Sequence, residues 1–264
     1  MKNLLFFLKY LRYFITARNR HGIHSPFVYE LLNEVIYDER WYYAFDEIEA
    51  VRAELLRNNN EIGMVDYGAG HEGRGTGDGG RMKIKDIARH SAKSSKYGQL
   101  LFRLVNKLQP QVLLELGTSL GISTLYQASP VSKSRFITLE GNPHALAIAT
   151  ENFSNMKLRH IEPIEGNFTD TLPKVVSSLS RLDYVFFDGN HRKAPTLDYF
   201  EQCIQLAGNN SVFVFDDIHW SAEMDEAWEA IKAHPRTRVT IDLFFLGLVF
   251  FREEQKKEHF VIRY

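Results

Sequence analysis

The chain has 264 residues, of which 44% are hydrophobic and 25% charged, with a formal net charge of −1. That is enough apolar content for one α/β domain with a packed core plus an extension, and the near-neutral balance excludes wholesale nucleic-acid binding. A single cysteine, Cys203, excludes an internal disulfide and is expected to be a core thiol of a protein kept in a reducing compartment, the cytoplasm.

The first twenty residues carry Lys2, Lys9, Arg12, Arg18 and Arg20 and no acid. Leu4, Leu5, Leu8, Leu11 and Ile15 recur at helical spacing, with Phe6, Phe7 and Phe14 around them. Lys9 and Arg12 interrupt the apolar run and no small-residue cleavage site follows, so neither a transmembrane segment nor a signal peptide is expected. The helix should pack on its own domain or on a second subunit of a homodimer, with peripheral contact to a membrane surface as the competing reading. Residues 21–37 turn between Gly22 and Pro26 and continue as a helix through Leu31, Leu32 and Val35. His21 and His24 have no third ligand nearby and read as loop histidines.

Residues 63–80 hold eight of the seventeen glycines, which predicts a mobile loop. Val65-Asp66-Tyr67-Gly68-Ala69-Gly70 imitates a ligand-binding turn, but no apolar residue follows from His71 to Arg81 to pack a helix onto a sheet. From Arg74 to Lys96 the bases Arg74, Arg81, Lys83, Lys85, Arg89, Lys93 and Lys96 outnumber Asp78 and Asp86, as a solvated face or as a cover over an active site. Residues 1–90 therefore read as a helical and loop extension, and 91–264 as the main domain.

An amphipathic helix over 98–108 leads into a buried strand at 112–116. A turn with Gly117 and Gly121 follows, then a helix start at Ile122, Leu125 and Tyr126, then a second strand at 136–139 ending in Glu140. The glycines allow a sharp turn and close approach to a ligand, and the helix start offers unpaired N–H groups. An acid at the end of the second strand is placed to hold a ribose diol. The Gly117-x-x-x-Gly121 spacing is not the tighter fingerprint of a dinucleotide site, which weakens an NAD-dependent oxidoreductase as the alternative.

Further strands at 158–164, 184–187 and 212–215 alternate with helices at 143–153, 169–179 and 193–206, the rhythm of a parallel sheet covered on both faces. A helix over 222–233 precedes two apolar runs, 239–245 and 248–251, separated only by Leu246-Gly247, which must form an antiparallel pair. A tail strand at 260–263 can extend it. The fold class is α/β: a Rossmann-like sheet of five parallel strands plus an antiparallel terminal pair.

Ligands collect at the carboxyl ends of such strands. The third strand ends in Gly166-Asn167-Phe168, where Asn167 can bond an adenine edge and Phe168 can stack. The fourth ends with Asp188 and His191. The fifth ends with Asp216, Asp217, His219 and Trp220. Each aspartate also suits the simpler role of a helix cap, but several acids and histidines on one rim favour a site.

With these motifs in register, residues 97–252 resemble the class I S-adenosylmethionine-dependent methyltransferases, and FFDGNHRKAPTLDYFEQCIQLAGNNSVFVFDDIHWS resembles their O-methyltransferase branch. The resemblance implies S-adenosylmethionine as cofactor and methylation of a hydroxyl on a small-molecule acceptor. Gly117, Thr118, Ser119 and Gly121 would surround its methionine part with Glu115 supporting the turn, Glu140 would hold the ribose, and Gly166, Asn167 and Phe168 would flank the adenine. In relatives of the catechol and caffeoyl-CoA type the corresponding acids bind a divalent ion, which places Mg²⁺ or a similar cation on Asp188, Asp216 and Asp217. The chain departs from that pattern with Asp-Asp in the last pair and Asp-Gly-Asn-His at the first position, closer to a broader group with an Asp-Gly-x-His motif. His191 or His219 would serve as base, since an imidazole ordinarily titrates near neutral pH. A non-catalytic interaction module built on the basic N-terminal helix is the remaining alternative.

Overall fold

A computed structural model describes residues 2–66 and 77–264. The chain divides into two compact units, one comprising the segment up to Asp38 with Arg181–Tyr264, the other Glu39–Ser180. The first unit opens with α1 (Lys2–Thr16) and α2 (Pro26–Leu31), which runs on as a short π-helical turn at Leu32–Ile36. Ser25 starts α2 by accepting a hydrogen bond from the Val28 N–H, and Pro26 supplies a preset φ just inside the helix. Phe6, Tyr10 and Tyr13 of α1 and Ala17 just beyond it pack with Phe244, Phe245 and Val261, and Arg18 then bridges in parallel to Ile262. The extension expected over 1–90 is thus shared between the units, because its first 38 residues pack with C-terminal strands.

The second unit begins with α3 (Tyr43–Arg57), β1 (Glu61–Asp66), β2 (Gly77–Lys83), α4 (Ile84–His90) and α5 (Ser95–Leu108). The loop expected over 63–80 is corrected at both ends, since β1 and β2 pair antiparallel from Glu61 with Lys83 to Asp66 with Gly77. Gly63 is needed for close approach: a Cβ there would come within 3.1 Å of the His144 ring, and its carbonyl accepts from Asn142 Nδ2 at 3.0 Å. The expected cover at the loop's centre lies outside the described residues.

There follow β3 (Val112–Leu116), α6 (Ile122–Ala128), β4 (Arg135–Glu140), α7 (Pro143–Asn155), β5 (Ile161–Glu165) and α8 (Phe168–Ser177). Strands β3, β4 and β5 run parallel. Leu113, Leu114, Phe136, Ile137 and Leu139 are buried, as covered parallel strands require. Asn142 and Asn167 cap α7 and α8 with their side-chain oxygens.

The first unit resumes with β6 (Leu182–Phe187), α9 (Lys193–Ile204), β7 (Ala207–Asp216), α10 (Ala222–Ala233), β8 (Val239–Asp242), β9 (Leu246–Phe250) and β10 (Glu258–Val261). Their order is β10-β8-β9-β7-β6. β6 and β7 are parallel, β9 is antiparallel to β7 and β8, and β10 adds to β8 in parallel. Each of the five strands expected to be parallel has a parallel neighbour, and the terminal pair is antiparallel.

The turn of that pair is displaced from its expected position. It falls at residues 243–245, with Phe244 at φ 70° and its N–H donating to Asp242 Oδ1 at 2.8 Å. Gly247 belongs to β9 because a Cβ there would come within 2.7 Å of the Trp228 ring. Cys203 is buried, as expected of a core thiol, as is Trp228, and the rings of Phe187 and Phe215 stack at 4.4 Å.

Candidate active site

The turn leaving β3 in the second unit is built by backbone geometry. Gly117, Ser119 and Gly121 all have positive φ, and the Gly117 N–H donates to Leu139 O at 2.9 Å, holding the turn beside the end of β4. Glu140, at that end, receives the Ser119 N–H on Oε2 at 2.7 Å and the Asn142 N–H on Oε1 at 2.8 Å. Burial pushes its carboxyl above the usual range, while these backbone donors pull the other way. The Gly141 and Thr118 N–H groups also act on this carboxyl, each of whose oxygens offers two lone pairs.

The other residues assigned to this end sort by burial. Glu115 is wholly buried and accepts from Ser123 Oγ at 2.8 Å, Thr124 Oγ1 at 2.5 Å, Gln127 Nε2 at 2.7 Å and Thr138 Oγ1 at 2.7 Å. Burial pushes its carboxyl up, opposed by these four donors. It ties β3 to α6 and β4 and presents no surface to a cofactor, which corrects its place among the binding residues. Thr118 is likewise buried, its hydroxyl 2.5 Å from that of Thr138. At Gly121, with φ 86°, a Cβ would meet the Phe153 ring at 2.7 Å, so close packing against α7 as well as the turn demands glycine. Asn167 spends its side-chain oxygen on the Thr169 N–H as the α8 cap, and Gly166 (φ 139°) and Phe168 flank it, both half-buried. The residues that remain accessible at this end are Gly117, Ser119, Glu140, Gly166, Asn167 and Phe168.

The first unit carries its own cluster of strand-end residues. Asp188 follows β6, Asp216 ends β7, and His191 lies in the turn after β6, where Asn190 has φ 53°. One ligand atom from each of Asp188, His191 and Asp216 lies within 4.8 Å of the others, and His191 Nε2 is 3.8 Å from Asp188 Oδ1. Asp217, expected as the third ligand, stands outside this group: its φ is 51° and its N–H donates to Phe245 O at 2.7 Å. His191 takes its place. None of these acids caps a helix, since α10 is capped by Ser221 and α9 has no side-chain cap.

His219 stands apart from that group. Its Nδ1 lies 2.6 Å from Asp225 Oδ1 and its Nε2 2.8 Å from Asp242 Oδ2. Lys9 of α1 completes the arrangement, donating to Asp225 Oδ2 at 2.5 Å and to the His219 carbonyl at 3.2 Å. Burial alone would lower the His219 pKa, but Asp242 and Asp225 outweigh it and the net shift is upward. Both ring nitrogens of His219 are engaged by carboxylates, whereas His191 lies in the group with Asp188 and Asp216 and is the candidate base. Lys9 was not legible as a partner because it is 210 residues away in sequence, and Asp225 and Asp242 meet the ring only through the packing of α10 and β8.

Comparison with known proteins bears on the family and the fold. A family profile described as a methyltransferase domain matches residues 114–218. A catechol O-methyltransferase of Niastella koreensis is 31% identical over 128 residues, covering 47% of this chain and 57% of that relative. The chain therefore spans little more than half the length of that relative. The catechol O-methyltransferase of Sus scrofa is 31% identical over 140 residues, covering 51% of this chain and 73% of the relative. The crystal structure of the O-methyltransferase from Bacillus cereus in complex with SAH superposes with a TM-score of 0.56 at 19% identity, over 81% of this chain and 93% of that one, and shares its fold. The chain belongs to the class I S-adenosylmethionine-dependent O-methyltransferase family.

Proposed function

We propose that the chain methylates a hydroxyl of a small-molecule acceptor with S-adenosylmethionine as donor. The observation that carries this reading is the convergence of Asp188, His191 and Asp216 within 4.8 Å at adjacent strand ends of a methyltransferase fold. Glu140 would accept the ribose hydroxyls on its remaining lone pairs, Gly117 and Ser119 would line the methionine part, and Asn167 and Phe168 the adenine. The sulfonium brings both the methyl group and a neutral thioether leaving group, so the protein has to align the acceptor and handle one proton. As the oxygen–carbon bond forms and the carbon–sulfur bond breaks, the hydroxyl proton passes to a ring nitrogen of His191, and Asp188 stabilises the resulting imidazolium. The acceptor to test first is catechol, on which the named relatives are said to act.

The same three residues support a second reading, in which they hold a divalent cation. Two carboxylates and an imidazole fit one, and the nitrogen widens the choice from Mg²⁺ towards Mn²⁺. Such an ion would lower the pKa of an acceptor hydroxyl. Transfer of a labelled methyl group to catechol, measured with and without chelator, separates the readings. Full activity in chelator with loss in His191→Ala supports the base; abolition by chelator and rescue by Mg²⁺ or Mn²⁺ supports the cation. A labelled donor that binds without transferring to any hydroxyl compound would remove the O-methylation assignment.

A further inference from the structure

Helix α1 uses one face on its own unit, and the described residues leave the other uncovered. Phe6, Tyr10, Tyr13 and Ala17 pack inward with Phe244, Phe245 and Val261. Phe7, Leu8, Leu11, Phe14 and Ile15 lie on the other side of the helix, between 42% and 70% exposed. Five large apolar side chains on one short helix form a contiguous stripe, unlike the isolated surface apolar residues that need no explanation.

The charges that the first twenty residues themselves carry are of one sign. Arg12, Arg18 and Arg20 are exposed, and no acid occurs in the first twenty residues. Arg263 adds a further cation, its guanidinium 4.2 Å from the centre of the Phe14 ring. Lys9 is the exception, being matched within the unit by Asp225. A second copy of the chain meeting this patch across a twofold axis would set arginines against arginines, because an isologous interface pairs a surface with itself. An anionic lipid surface offers both an apolar layer for the stripe and negative charge for its rim. No helix among the described residues is long and apolar enough to cross a membrane, so α1 would lie on the bilayer.

We infer that the outer face of α1 is a docking surface for an anionic lipid bilayer. Its inner face fixes its orientation, and Lys9 and Phe6 hold it against the loop after β7, through the His219 carbonyl and the edge of the Trp220 ring. Docking would therefore bring the segment that follows Asp216 and Asp217 to the lipid surface. The inference does not depend on the proposed reaction, because binding is read without turnover.

Co-sedimentation of the intact chain with phosphatidylcholine vesicles, with and without phosphatidylglycerol, tests it. The chain should sediment with the anionic vesicles at least about tenfold more strongly than with pure phosphatidylcholine, and raised salt should weaken the binding. The double substitution Leu11→Glu and Ile15→Glu should abolish binding, with the melting temperature read in parallel. Arg12→Gln with Arg18→Gln, which leaves the inner face intact, should reduce it several-fold and keeps the test decisive if the first variant does not fold. Equal binding to both vesicle types, no binding to either, or a concentration-dependent dimer dissociated by Leu11→Glu in place of vesicle binding would each overturn the inference.

Discussion

Near the end of β3, Glu115 accepts hydrogen bonds from four side chains and has no exposed surface, whereas at the end of β7 Asp216 shares a rim with a second carboxylate and an imidazole. The first acid is surrounded by neutral donors from Ser123, Thr124, Gln127 and Thr138, which oppose the cost of burying it without cancelling it, and it is held entirely by groups of its own fold. Asp188 and Asp216 are held near one another, an arrangement that costs stability unless a proton, a cation or His191 offsets it. A carboxylate saturated by its own chain supports the structure; one set beside a like charge is a candidate for chemistry. Neither burial nor residue type alone separates the two, since Asp216 is only 3% exposed.

The comparison breaks most readily at Glu115. Replacing Glu115 by Ala strands four buried donors and should cost about 3–5 kcal/mol, measured by urea unfolding. A near-neutral result would mean that these hydrogen bonds do not hold the turn. A smaller and opposite effect is expected at the other rim. Asp216→Asn removes a like charge, so the melting temperature should stay level or rise, while methyl transfer falls at least about tenfold, equivalent to roughly 1.4 kcal/mol in the barrier. Retained turnover with lowered stability would place Asp216 with Glu115 instead.

The least effect is expected at His219, which sharpens the contrast with His191. Asp225 of α10 and Asp242 of β8 face its ring, and Lys9 of α1 bonds its carbonyl and Asp225. Burial opposes its protonation, but the carboxylates raise its folded pKa above the unfolded value of about 6.5. The stability it contributes is fully present below the unfolded value and is lost as pH rises through the folded one. The melting temperature should therefore decline from neutral towards alkaline pH, and His219→Gln should flatten that decline. Lys9→Ala, removing a half-exposed ion pair, should cost no more than about 1 kcal/mol. If His219→Gln leaves the pH dependence of stability intact but abolishes methyl transfer, the assignments of the two histidines are reversed.

What was legible in the residues follows the range of the interactions involved. Strands β3 and β4, their turn and Glu140 could be read because apolar runs, glycine placement and a terminal acid are local signals. The pair β1 and β2 could not, since glycine-rich strands carry no alternation and depend on contacts such as that of Gly63 with His144. Leu246-Gly247 reads as a turn, yet Gly247 is there for the Trp228 ring pressed against its strand. At the site, Asp188 and Asp216 were legible as strand-end acids. The grouping of His191, and not Asp217, with these acids was not, and both Asn190 and Asp217 have positive φ. The same limit applied to Glu115, whose helix-side partners are near in sequence but whose complete burial is a property of packing.

The account rests on a donor site formed by the β3 turn and the end of β4. Calorimetric titration of the intact chain with S-adenosylhomocysteine, with NAD as control, tests it most directly. A saturable one-site isotherm for S-adenosylhomocysteine is expected, none for NAD, and a loss of about 1.5–3 kcal/mol in Glu140→Ala as the charge-assisted ribose bonds are removed. Absence of S-adenosylhomocysteine binding, or unchanged affinity in a folded Glu140→Ala variant, would contradict it.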